Sequence, residues 1–174
     1  MSIIPVDFIT TNGLRCRKPW AAQEIDTSNS DMAYCKAISS LLHVHHGVFV
    51  MEGDVRVSKW TFDALLPKLE DLKDEVVVLP YRLHPNTTGL NRSVLAHRKV
   101  GLDGTTWIEP GDLHADLFGF GATYIPNHLW FMAMDTNMDR HWSTLDSSFS
   151  SLTHGLGVQA HVIWDFGEIP HLHH

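Results

Sequence analysis

Cysteine is scarce in this chain: Cys16 and Cys35 are the only two among 174 residues. Two thiols outside any C-x-x-C spacing exclude a disulfide framework, a zinc knuckle and a dithiol redox centre. Long apolar runs are missing too. No segment approaches the roughly 20 apolar residues that span a bilayer, and the first residues lack the basic start and apolar stretch of a secretory signal. The expectation is a cytoplasmic protein without a membrane span. The tail Pro170-His171-Leu172-His173-His174 is not a homopolymeric tag and is read as native sequence. Internal repeats and low-complexity segments are absent.

Cations are also missing, but from one half only. Residues 1–99 hold 12 Lys plus Arg against 11 acids, whereas residues 100–174 hold Arg140 alone against nine acids, together with eight of the 13 histidines. Such a half repels nucleic-acid phosphates and anionic lipid unless a cation intervenes, which makes a bound divalent metal the natural expectation. The remaining composition, 44% hydrophobic and 19% charged, is that of a soluble globule and excludes disorder. A chain of this length suits one domain built around a single core.

The pattern along the first 80 residues alternates between strand and helix. Ile3 to Thr10 is apolar and β-branched and ends in the turn signal Thr11-Asn12-Gly13. Residues 15–27 show no period and read as a loop. Ser28-Asn29-Ser30-Asp31 then precedes Met32, Ala33, Ala37, Ile38, Leu41 and Leu42, a helical spacing behind a cap. Val48 to Met51 is a short strand apolar on both faces. Ser58 caps a helix over Trp60 to Leu72 that Pro67 should bend or shorten, and Glu75 to Pro80 reads as another strand. This order predicts an α/β fold with a mostly parallel central sheet and helices on both faces. Beyond Tyr81 the order loosens. A basic cluster at His97, Arg98 and Lys99 is followed by Phe118-Gly119-Phe120-Gly121, whose glycines suggest close backbone approach. Asn127 precedes one helical pattern, His141 to Leu152 holds another, and Val158 to Trp164 alternates like a last strand.

The sharpest local feature is Glu52-Gly53-Asp54, directly after the buried strand and before a helix. In open parallel sheets the ligand crevice lies beyond the carboxyl ends of the strands, so acids there face a site. Two carboxylates either side of a glycine can turn toward one hard cation. The competing reading is a solvated acidic turn.

The segment Gly47 to Leu72, with Val-Phe-Val-Met-Glu-Gly-Asp-Val ahead of Ser-Lys-Trp and an amphipathic helix, resembles the metal-binding D-x-D region of GT-A fold glycosyltransferases, here a compact bacterial or viral type. The resemblance implies a single Rossmann-like GT-A domain, residues 1–82 forming a nucleotide-sugar-binding half and residues 83–174 an acceptor and catalytic half. It implies Asp54 as ligand to Mn²⁺ or Mg²⁺ and Glu52 beside the ribose or the metal's water shell, with Gly53 between them. Glu stands where the family has Asp. Thr10 and Thr11 would lie under the nucleotide, and Asn29, Ser30 and Asp31 near base or ribose, a UDP-sugar being the favoured donor. Family members use a C-terminal histidine as a further ligand; His171, which Pro170 can orient, comes before His173, with His161 also on offer. Asp146 stands where the family places the acid that deprotonates the acceptor hydroxyl, and Asp112 and Asp116 compete for that role. Trp107, Phe120 and Trp142 are candidate stacking platforms for sugar. The expected partners are a nucleotide-sugar donor and a hydroxyl acceptor, nucleic acid being a less favoured acceptor reached through Arg92 to Lys99.

Three other readings compete. His114-Ala115-Asp116 with a later His161 or His171 matches the ligand order of non-haem Fe(II)/2-oxoglutarate oxygenases. Against it stand the helical periodicity of residues 31–72 and the lack of any Lys or Arg after Arg140. His43-Val44-His45-His46 could serve a zinc hydrolase, although a helix end explains it as well. The third is a nucleotide-sugar-binding module without turnover.

Overall fold

The computed structural model describes residues 3–10, 15–27, 30–134 and 144–172. Its centre is a seven-stranded sheet. Strand β1 (Ile3–Ile9) is flanked by the edge strand β2 (Gln23–Asp26) and by β3 (Gly47–Glu52), both parallel to it. Helix α1 (Asp31–Leu42) connects β2 to β3, and helix α2 (Lys59–Asp71) connects β3 to β4 (Val77–Val78). A small hairpin-like pair, β5 (Arg82–Leu83) with β6 (Val94–Leu95), encloses the one-turn helix α3 (Pro85–Thr88). A second pair, β7 (Arg98–Gly101) with β8 (Gly104–Trp107), forms a separate antiparallel ribbon. The chain then returns to the main sheet through β9 (His114–Ala115) and β10 (Ala122–Pro126), passes through helices α4 (Asn127–Met134) and α5 (Leu145–Gly155), and ends its regular structure in β11 (Ala160–Val162).

The strand order is β2-β1-β3-β10-β4-β11-β9. Strands β10 and β9 run against their neighbours, so β2, β1, β3, β4 and β11 share one direction. The expected mostly parallel α/β sheet is therefore present and Rossmann-like. Strand β10, from the second half of the chain, lies between β3 and β4, so both halves build one sheet.

Strand alternation sorts the apolar residues into two cores. Val48 and Val50 join Val6, Phe8, Val76 and Val78 under α1, α4 and α5, through Ile38, Leu42, Trp130 and Phe149. Phe49 and Met51 join Ile3, Val77 and Leu79 on the other face, under Phe62, Leu65 and Leu69 of α2. A period of two on a strand buried on both sides explains why these runs read as continuously apolar. Each such side chain contributes about 1.5–3 kcal/mol when fully buried.

Some local expectations need correction. Gln23–Asp26 lies in the stretch expected as loop; being mostly exposed, it shows no apolar period, and its backbone pairing to β1 makes it a strand. Helix α2 is not shortened at Pro67: it continues to Asp71, with the proline on the exposed face. The Gly119 and Gly121 approach is internal: a β-carbon at either would fall 2.5 Å from an atom of Tyr81. Gly121 N–H donates to the Tyr81 hydroxyl at 3.2 Å. His97 belongs to no basic surface. It is fully buried, its Nδ1 accepts from Gly119 N–H at 3.3 Å, and its Nε2 donates to the Leu79 carbonyl at 2.9 Å. Burial pushes its pKa down to about 4, so the ring is neutral.

Candidate functional site

The turn after β3 is fixed from below by backbone bonds. Gly53 N–H donates to the Phe8 carbonyl at 2.9 Å, Glu52 N–H to Gly121 at 3.0 Å, and the Gly53 carbonyl accepts from Cys16 N–H at 2.6 Å. Lys18 adds a side-chain tie: its Nζ donates to the Glu52 carbonyl at 3.2 Å, to the Cys16 carbonyl at 3.0 Å and to Asp7 Oδ1 at 3.0 Å. With β1 and β3 ending side by side, Glu52 and Asp54 stand at the carboxyl edge of the sheet.

The C-terminal tail crosses this turn. Arg56 N–H donates to the Pro170 carbonyl and Leu172 N–H to the Asp54 carbonyl, both at 2.8 Å, and Val55 bridges His171. This brings His171 Nε2 to 3.1 Å from Asp54 Oδ2, while Nδ1 lies 2.8 Å from the Arg82 carbonyl. A carbonyl can only accept, so Nδ1 carries a hydrogen and Nε2 is the nitrogen aimed at the carboxylate. Asp54 holds the imidazole pKa above its ordinary value, chiefly through this hydrogen bond. A ring whose outer N–H is fixed by a backbone carbonyl is also how metal-ligating histidines are oriented.

Two helix starts complete the cluster. Ser30 caps α1, its hydroxyl accepting from Ala33 N–H at 3.2 Å. Asp31, in the first turn, accepts from Leu145 N–H at 3.3 Å, which ties α1 to the start of α5. On α5, Asp146 Oδ1 accepts from the Thr144 hydroxyl at 2.6 Å and from Ser147 N–H at 2.8 Å. Its Oδ2 lies toward Gly119, 3.5 Å from where a β-carbon would sit. Glu52 Oε2 accepts from the Tyr34 hydroxyl at 3.0 Å. Burial first, then the charges of Asp146 and Asp54, push the Glu52 pKa up to about 8 against the hydrogen bond from Tyr34, and Asp31 adds to the rise. Tyr34 and Tyr81 are raised by burial and by Glu52. Asp31, Glu52, Asp54, Asp146 and His171, drawn from five places in the sequence, thus share one electrostatic neighbourhood.

The other expected residues divide. Thr10 follows β1 at the same sheet edge; Thr11, Asn29, His173 and Trp142 lie outside the described residues. The side chains of Asp112 and Asp116 are engaged elsewhere. Asp112 accepts from Glu109 N–H at 2.7 Å and pairs with Lys99 at 2.9 Å, which together hold its pKa low. Asp116 is buried, accepting from Val100 N–H at 2.8 Å and from Gln159 Nε2 at 3.0 Å. Phe120 is core. The oxygenase ligand set is not assembled: His114 and His161 lie together with ring centroids 5.1 Å apart, but Asp116 is committed to Val100 and Gln159, His171 sits on Asp54, and the sheet is no all-β barrel. The histidines after α1 also part company, His43 against Phe131 and His46 on Asp74. Lys18, Tyr34 and Tyr81 were not foreseen. Tyr34 alone carried a signal, one helical turn after Asp31 on the buried face of α1.

Among the described residues no three His, Cys, Asp or Glu side chains are gathered to hold a metal unaided. No protein-family model matches the chain, and no curated protein matches it. Among solved structures, the crystal structure of A197 from STIV is similar over 98% of this chain and 86% of its own, with a TM-score of 0.64 and 17% identity. The likeness is one of fold. It covers nearly the whole chain. No helix among the described residues is long and apolar enough to cross a membrane.

Proposed function

We propose that this chain is a divalent-metal-dependent glycosyltransferase, moving a sugar from a nucleotide-diphosphate sugar, favourably a UDP-sugar, to a hydroxyl acceptor. The observation that carries the reading is the Asp54–His171 pair at the carboxyl end of the sheet, with Nδ1 committed to the Arg82 carbonyl and Nε2 aimed at Asp54. Two protein ligands of this kind fit Mn²⁺ or Mg²⁺ bound jointly with phosphate oxygens, since such ions commonly take one or two carboxylates and keep the rest of their shell for substrate and water. When bound, the ion neutralises the charge that develops on the departing diphosphate.

The chain's own residues supply the rest. Asp54 and His171 hold the ion's protein side, and Glu52, whose ionised form a cation would favour, lies behind them. Ser30 and Asp31 at the start of α1 face the same edge and suit the ribose or base. Asp146, its Oδ1 occupied by Thr144 and Ser147, keeps Oδ2 for the acceptor hydroxyl, whose proton it takes.

The test is calorimetric titration of UDP-sugars with and without Mn²⁺, followed by transfer from a labelled donor. Asp54→Asn is expected to weaken Mn²⁺-dependent UDP binding by about a hundredfold, since loss of a ligand costs at least as much as loss of an outer-shell partner, with little loss of folding stability. Full binding and transfer by this variant would overturn the assignment. Metal-dependent binding without any transfer would leave a binding module instead.

A further inference from the structure

Asp146 also lines a cavity of about 230 Å³ that the donor reading does not use. One wall is α5, through Ser147 and Ser150; another is the β7–β8 ribbon, through Arg98 and Trp107, with Phe118 closing the apolar side. Arg98 and Trp107 are direct cross-strand partners, and the guanidinium carbon lies 5.5 Å from the indole centroid. Backbone bonds fix the strand here: Arg98 N–H donates to Leu117, and the Arg98 carbonyl accepts from Asp116 and Leu117 N–H groups at 2.8–3.1 Å.

The alternation of β7 separates two neighbouring cations. Lys99 turns to Asp112 and is neutralised there at 2.9 Å. Arg98 turns to the cavity and has no carboxylate within ion-pair distance among the described residues, although Asp146 lines the same space. The chain pairs its other cations where they meet acids, as Arg82 meets Glu168 at 2.6 Å. A guanidinium held on an aromatic face keeps its N–H fork for a ligand, and that fork prefers carboxylate or phosphate.

We propose that this cavity receives the acceptor and selects one bearing an oxyanion, carboxylate or phosphate, which Arg98 holds while the hydroxyl to be glycosylated meets Asp146. The inference rests on the glycosyl-transfer reading above. In the step itself the acceptor oxygen bonds to the anomeric carbon, whose bond to the diphosphate oxygen breaks. The hydroxyl proton passes to Asp146 Oδ2 and the diphosphate leaves with the bonding pair.

The experiment titrates the full chain first with UDP and Mn²⁺, then with methyl glucoside, methyl glucuronide and glucose 6-phosphate, following heat and tryptophan fluorescence. At least one acidic sugar is expected to bind about tenfold tighter than the glucoside, as a charge-assisted contact gives, and the two acidic arms assign carboxylate or phosphate. Arg98→Gln should abolish the preference, Arg98→Lys should keep part of it, and Lys99→Gln should keep all of it. Should Arg98→Gln not fold, the Arg98→Lys loss and removal of the wild-type preference by salt test the same contact. Equal binding of neutral and acidic sugars, no sugar binding, or a preference unchanged by Arg98→Gln overturns this proposal. If UDP binding is intact in those cases the donor reading stands; absence of UDP binding overturns both.

Discussion

Two carboxylates on neighbouring strands, Asp7 buried and Glu52 half-buried, are treated in opposite ways. Asp7 on β1 and Lys18 in the following loop have side chains 1% and 2% exposed and are paired at 3.0 Å. Burial raises the Asp7 pKa, and the hydrogen bond and charge of Lys18 oppose it. Glu52, at the end of adjacent β3, meets no cation with its side chain among the described residues; its charged neighbours there are Asp146, Asp54 and Asp31, and a tyrosine hydroxyl is its hydrogen-bond partner. A carboxylate with its own counter-charge is complete as structure. One surrounded by acids leaves room for a positive charge from outside, and perturbed groups of this kind gather where chemistry is done.

Breaking the complete pair carries the largest effect. Lys18→Met leaves Asp7 buried without a partner, which costs about 3–5 kcal/mol for pairs of this type. It also cuts the tie from Nζ to the Glu52 carbonyl. Urea unfolding is expected to show that loss, and Asp7→Asn combined with Lys18→Met should recover a good part of it. If the single variant is as stable as wild type, Lys18 is not the counter-charge of Asp7.

A third buried group, His97, sharpens the contrast because it is neutral. Its folded pKa of about 4 lies below the ordinary 6.5, so its contribution is fully present above pH 6.5 and is lost as pH falls toward 4. The shift corresponds to about 3 kcal/mol across that window. A His97→Gln variant, which has no proton to gain, is expected to lose less stability than wild type between those two pH values. Equal acid slopes for the two proteins would contradict the buried neutral ring.

How much of this was legible in the sequence depends on how local each signal is. Val48 to Met51 announced a strand buried on both faces, and the acids after it were therefore read at the sheet's carboxyl edge, where they stand. His171 and Asp31 were legible for the same reason: a proline or a cap fixes their local geometry. Choosing among Asp112, Asp116 and Asp146 was not possible from sequence, because each follows a turn or opens a helix, and only tertiary placement commits the first two to Lys99, Val100 and Gln159. The Lys18–Asp7 pair was invisible, since its partners lie 11 residues apart with no shared period. Gly119 and Gly121 signalled a close approach but could not say that Tyr81 makes it. Arg98 was grouped with His97 and Lys99 by adjacency, and strand alternation then sent the three side chains to a core, an ion pair and a cavity.

The smallest effect probes the incomplete carboxylate, because its partial exposure to solvent screens a shift that is nominally larger than that of His97. Between its ordinary pKa of 4.5 and its folded value of about 8, Glu52 keeps a proton in the folded chain that the unfolded chain has lost. Stability contributed by this proton is therefore greatest at low pH and falls as pH rises through that window. Glu52→Gln mimics the protonated form at every pH. With chelator present, its melting temperature should match wild type near the lower end of the window and exceed it by on the order of 5 °C above the upper end. Mn²⁺ should close the gap from the wild-type side, because a cation favours the ionised carboxylate that glutamine lacks. A gap that never opens with pH would place a compensating charge beside Glu52 and remove its difference from Asp7. A gap that opens but ignores Mn²⁺ would keep the electrostatic contrast and separate it from metal binding.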